Sequence, residues 1–178
     1  MKAFRTMFVV STLAVAAVAV ANGLADKTKP SSAEACFTKL KTLAGEWMTK
    51  DPQSDKEVVG LRYKVTAAGS AVEETIFPGE GHEMVTMYHL DNGSLVLTHY
   101  CALGNQPKLK ATDASTPAKM EFTCIGGGNM KSENDMHMHH GELTIKDNDH
   151  LVSHWSAYKD GKPAGHEVTF ELHRKAAK

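Results

Sequence analysis

An all-β fold is what this sequence predicts: a closed antiparallel up-and-down barrel of about ten strands, preceded by one short helix. Three observations carry that reading. Beyond Gly45 no long helical periodicity occurs, and the chain breaks into short alternating runs cut by turn residues. Asp91-Asn92-Gly93, Asp147-Asn148-Asp149 and Asp160-Gly161 each stand between two such runs, which is hairpin chemistry. Every connection is too short for a parallel crossover, so the strands form an antiparallel meander, and closing it removes two exposed edges.

Taken in order, the chain opens with Lys2 and Arg5, then an apolar run to Val20 that ends in small residues. That run is short and alanine-rich for a membrane span, and it reads as a secretory signal peptide over 1–25, cut after Ala25. The expected organisation is therefore 1–25 signal peptide, 26–45 tether and short helix, and 46–175 barrel. Ser31 and Glu34 form a capping pattern, and Cys36, Phe37, Leu40 and Leu43 share a face of a helix that Gly45 stops. Strands are expected at 46–50, 57–66, 71–77, 83–90, 94–101, 107–112, 119–125, 137–146, 150–159 and 165–174.

Removing Lys2 and Arg5 leaves 18 of 20 Lys and Arg against 21 Asp and Glu, a net charge near −3. That balance gives no electrostatic case for nucleic acid or an anionic membrane surface, and no membrane insertion is expected after cleavage. Three cysteines, Cys36, Cys101 and Cys124, allow one internal bridge at most, so they do not form a disulfide framework.

The run LAGEW after the short helix and the closing VTFELHRK, together with ETIFPGEGHEMVTMYHLDNGSLVLTHYCALGNQP and HMHHGELTI, carry a family likeness. From about Leu40 to Lys175 the chain resembles exported bacterial lipocalin-like (calycin-like) β-barrel domains of unassigned function. More distantly it is similar to nitrobindin-type barrels. The first resemblance implies a ligand-holding barrel and no particular activity. The second implies haem held by a late histidine, a motif this chain does not match residue by residue.

Alternation fixes the inward face of each strand. Tyr63 falls in phase with Val59, Leu61 and Val65, and Glu74 with Val72 and Ile76. His99 and Cys101 follow Leu95 and Leu97; Cys124 follows Met120 and Phe122. His137 and His139 follow Leu143 and Ile145, which assigns Met138 to the outside. Meander direction puts Glu74, His99, Cys101, Cys124, His137 and His139 near one rim, with His82, Tyr158 and His166. The longer loops lie there as well, so that rim reads as a mouth and the other as a base.

Glu74, His99, Cys101, Cys124, His137, His139 and Tyr63 are the candidate ligand-binding residues. His137 and His139 lie roughly 6.7 Å apart at Cα if on one strand face. With His99, and with Glu74 as a further candidate, they match the donor types of a zinc site. Met130, Met136 and Met138 add thioethers, which suit copper. The plainer reading is a polar-lined mouth whose histidines bond to one another, to Glu74 or to water. Gly126-Gly127-Gly128 has no Lys-Ser/Thr after it and no helix start, so it does not read as a phosphate loop.

The reading favoured by the sequence is an exported, periplasmic or extracellular, small-molecule-binding barrel with a histidine-lined mouth. Two alternatives stand beside it. One is a zinc- or copper-dependent binding protein or hydrolase using His137, His139, His99 and Glu74. The other is a structural or partner-binding domain. No nucleophile with an oriented base is legible, which favours binding over catalysis. The ligand, the metal, any haem and the oligomeric state are not specified by the residues.

Overall fold

The computed structural model describes residues 30–51 and 54–176. The expected signal peptide and most of the tether lie outside them. Helix α1, Ser32–Lys41, starts at Ser31, whose hydroxyl accepts from the Glu34 backbone N–H at 3.2 Å while the Glu34 carboxylate accepts from the Ser31 N–H at 2.8 Å. Ten strands follow: β1 Gly45–Lys50, β2 Glu57–Thr66, β3 Ala71–Ile76, β4 Met84–Asp91, β5 Ser94–Tyr100, β6 Gln106–Ala111, β7 Lys119–Gly128, β8 His137–Ile145, β9 His150–Lys159 and β10 Lys162–Arg174. Each pairs antiparallel with its neighbours in sequence, and β10 returns to β1, closing the barrel. Among the described residues no helix is long and apolar enough to cross a membrane.

The turns hold the register as their chemistry requires. Asn92 and Gly93 both take positive φ, 49° and 77°, between Asp91 and Ser94, the conformation that suits a tight two-residue hairpin. β7 runs three residues beyond the expected end at 125, because Gly126–Gly128 pair with β6. A Cβ on Gly127 would lie 2.9 Å from both Gln106 O and Pro107 Cα, so glycine permits the close approach. The triple glycine thus extends a strand.

The base is sealed. Cys36, Phe37, Leu40 and Leu43 are buried, and α1 packs toward β2, β4 and β5. The Ser32 hydroxyl donates to Ser115 O at 2.8 Å, tying the helix to the β6–β7 loop. Trp47, fully buried, donates its indole N–H to Leu43 O at 2.8 Å. The Arg174 guanidinium lies 4.3 Å above the Trp47 ring and donates to Thr42 O, Ala44 O and Asn148 O. All three cysteines are free.

Candidate functional site

A polar row crosses the inside of the barrel. Tyr63 on β2 pairs with Glu74 on β3, Glu74 with Thr86 on β4, and Thr86 with His99 on β5. Residues paired across neighbouring strands share a face, so the inward phase of Tyr63 carries along the row. All four are buried, as the alternation of Tyr63, Glu74 and His99 with their apolar neighbours predicts. Tyr88 adds a hydroxyl that donates to Glu74 Oε2 at 3.0 Å. Burial pushes the Glu74 carboxyl up, against the opposing pull of hydroxyls on Tyr63, Tyr88 and Thr86. Burial, and then the neighbouring Glu74 charge, push both phenols well up.

His99 ends the row. Its Nδ1 lies 3.0 Å from Thr86 Oγ1, and its ring centroid lies 5.0 Å from that of Trp155. Trp155 fits there because its partner Gly141 has no side chain: a Cβ would stand 3.1–3.3 Å from three atoms of the indole. His99 is 2 % exposed, and its Nε2 has no hydrogen-bond partner among the described residues. Burial pushes the imidazole down to about 4, so at neutral pH it is uncharged.

His99 also borders a small space of about 40 Å³, together with Ile76, Met84, Met138, Trp155, Val168 and Phe170. Met84, Met138, Val168 and Phe170 also line a larger cavity, of about 710 Å³, that adjoins it at the mouth. Phe77, Ala102, Leu103 and Met136 complete the apolar lining, and Asp51, Glu80, His82, Cys101 and His166 supply its polar part. Small-molecule sites span roughly 300–1,000 Å³, mostly apolar with a few placed polar groups. Phe77 adopts φ 50°, strained for a bulky residue, and its ring packs edge-on against Phe170 at 5.4 Å and tilted against His82 at 4.9 Å. The β7–β8 loop beside the mouth is tied down. Asn105 Nδ2 donates to Met136 O at 2.8 Å, Asn129 Nδ2 to Gly104 O at 2.6 Å, and Asp160 N to Asn134 O at 2.9 Å.

His137 and His139 do not share this space. The expected phase breaks at a β-bulge between Met138 and His140. Gly141 pairs with the inward Trp155 and Met138 with the buried Ala157, so Met138 belongs to the core, a correction to its assignment outside. His137 pairs instead with Tyr158, on the opposite face, and His139 stacks on Tyr158 at 4.0 Å with an interplanar angle of 14°. An extra residue bends the strand and shifts every side chain before it, which alternation alone does not reveal.

The two imidazoles meet each other and Cys124. His137 Nε2 lies 3.0 Å from His139 Nδ1, and His137 Nδ1 lies 2.7 Å from Asp135 O. The possible ligand atoms of Cys124, His137 and His139 all fall within 4.8 Å of one another. His99, expected as their companion, stands apart from that group and against Thr86 and Trp155. Glu74 stays in the interior row. Cys101 is half-buried at the cavity.

Sequence reasoning missed the cavity's apolar lining as a site. Val168 and Phe170 are legible as inward residues, but Met136 reads as flexible filler, Met138 as an outward residue, and Phe77 and Met84 carry no distinct signal. The usable signal was that they cluster at the rim where the long loops lie. No known family profile matches the sequence, and no curated protein matches it.

Proposed function

We propose that this protein is an exported, lipocalin-like (calycin-like) barrel that binds a small, largely apolar molecule at its mouth. One hydrogen-bonding group of that molecule is directed at His99 Nε2. The observation that supports this is a buried imidazole, with one nitrogen lacking a partner among the described residues, on a residue that borders the small space adjoining an apolar cavity. A buried polar group without a partner costs about 1–3 kcal/mol, which a ligand hydroxyl, carbonyl or carboxylate would recover. Neutral imidazole donates or accepts according to tautomer, so the site suits either kind of group. The apolar lining supplies affinity and His99 supplies orientation.

The test is native mass spectrometry of protein purified from the exported fraction of its own host. The wild type should carry a small-molecule adduct. Val168→Trp, which fills the cavity from β10, should lose that adduct while keeping the far-ultraviolet circular dichroism of the barrel. An adduct retained in full by Val168→Trp would place the ligand elsewhere. A bare wild type would favour the structural or partner-binding reading.

A further inference from the structure

Cys124, His137 and His139 form a second group, separate from the mouth cavity. The paired register of β7 and β8 ends at Thr123↔His140, where the bulge turns β8 aside while β7 continues along β6. Cys124 lies just past that point. Its thiol donates to Gly126 O at 3.4 Å. His137 is 2 % exposed and Cys124 is half-buried.

The imidazoles are set for coordination. Asp135 O is a carbonyl and only accepts, so His137 Nδ1 carries the proton and Nε2 presents a lone pair. A backbone carbonyl in that position is the usual outer partner of a metal-bound histidine. With that lone pair facing it at 3.0 Å, His139 Nδ1–H donates to His137 Nε2. Moving the His139 proton to its own Nε2 frees the second lone pair. The stacked Tyr158 ring holds His139 in place. Zinc bonds of about 2.1 Å to nitrogen and 2.3 Å to sulfur imply donor separations of roughly 3.4 Å in a tetrahedral site. The 3.0 Å between the nitrogens and the 4.8 Å limit of the group bracket that value.

We propose that Cys124, His137 and His139 hold a single zinc-type divalent ion at the β7–β8 bulge, with a fourth position open. On binding, the Cys124 S–H bond breaks, its proton passes to solvent, and the sulfur lone pair forms the bond to the ion. Two imidazoles and one thiolate neutralise one of the two positive charges. This site is independent of ligand binding at His99.

Cobalt(II) is the probe, because its bond to a thiolate absorbs in the near ultraviolet. Protein without a histidine tag, kept reduced with a non-thiol reductant, is titrated with cobalt(II) and then with zinc(II). The charge-transfer band should saturate at one equivalent and be bleached by zinc. Cys124→Ser should abolish the band. His139→Gln, at the more exposed ligand, should weaken binding by at least about tenfold, the lower bound for disturbing even an outer partner. His99→Gln should leave the titration unchanged. No saturable band in the wild type, a band that survives Cys124→Ser, or one lost in His99→Gln would overturn the assignment. Circular dichroism of each variant confirms that the barrel is intact.

Discussion

Trp47→Ala should destabilise the barrel by about 3–5 kcal/mol, the range for removing a buried aromatic side chain. Trp47 is fully buried and stands at the closure of the barrel, where the β1–β10 register pairs Trp47 with Arg174 and Met48 with His173. Truncation removes the floor on which the Arg174 guanidinium rests and leaves Leu43 O without its indole donor. Both losses act on the joint between α1 and the barrel base. Trp47→Phe keeps much of the volume and loses chiefly the hydrogen bond, so a cost of about 1–2 kcal/mol is expected. Urea denaturation would show the midpoint falling with an unchanged slope. A loss below about 1 kcal/mol for Trp47→Ala would contradict the role given to this residue.

Acidification should cost the wild type about 3 kcal/mol through His99 alone. An unfolded histidine takes up its proton near 6.5, whereas native His99 holds out to about 4. Between those values the unfolded chain binds more protons, so stability falls as pH falls. A gap of about two and a half pH units corresponds to roughly 3 kcal/mol at about 1.36 kcal/mol per unit. The loss is absent above pH 6.5 and complete below pH 4. Glu74 acts in the opposite sense: with its carboxyl pushed up, it disfavours the native state as pH rises past the usual carboxylate value. His139, pushed down first by burial and then by His137 and His140, acts in the same direction as His99. Comparison with His99→Gln separates these contributions, since glutamine does not titrate. The stability difference between wild type and His99→Gln should shift by about 3 kcal/mol against the wild type between pH 7 and pH 4. A difference that stays constant with pH would show that His99 is not held neutral by burial.

The strands were legible because their ends are marked chemically. Asp91-Asn92-Gly93 and Asp160-Gly161 supply residues suited to positive φ, and the runs between turns alternate cleanly. Alternation also placed Tyr63, Glu74 and His99 inside. That these three lie in one row with Thr86 follows from cross-strand register, which a single sequence does not contain. The beginning of β8 was not legible. Leu143 and Ile145 set the right phase for Gly141, but the bulge before His140 adds one residue and reverses it. Met138 therefore entered the core, while His137 and His139 turned to Tyr158 and Cys124. The mouth itself was legible from loop length, because the rim with the longer connections is where the larger cavity opens. Its apolar character was not, since methionine, valine and phenylalanine lining a cavity look the same in sequence as those filling a core.

An apolar molecule that binds as proposed enters the mouth and reaches His99. The chain's two tryptophans report on it directly, because Trp155 borders the inner space against His99 while Trp47 is held at the sealed base. Two-dimensional nitrogen–proton spectra of uniformly labelled protein, recorded while a series of medium-chain alcohols is added, resolve their indole N–H signals. The Trp155 signal should move saturably, with affinity rising as the chain lengthens until the cavity is filled, and the Trp47 signal should stay fixed. A Trp155 signal that does not move, or one that moves only in proportion with Trp47, would contradict binding at this site.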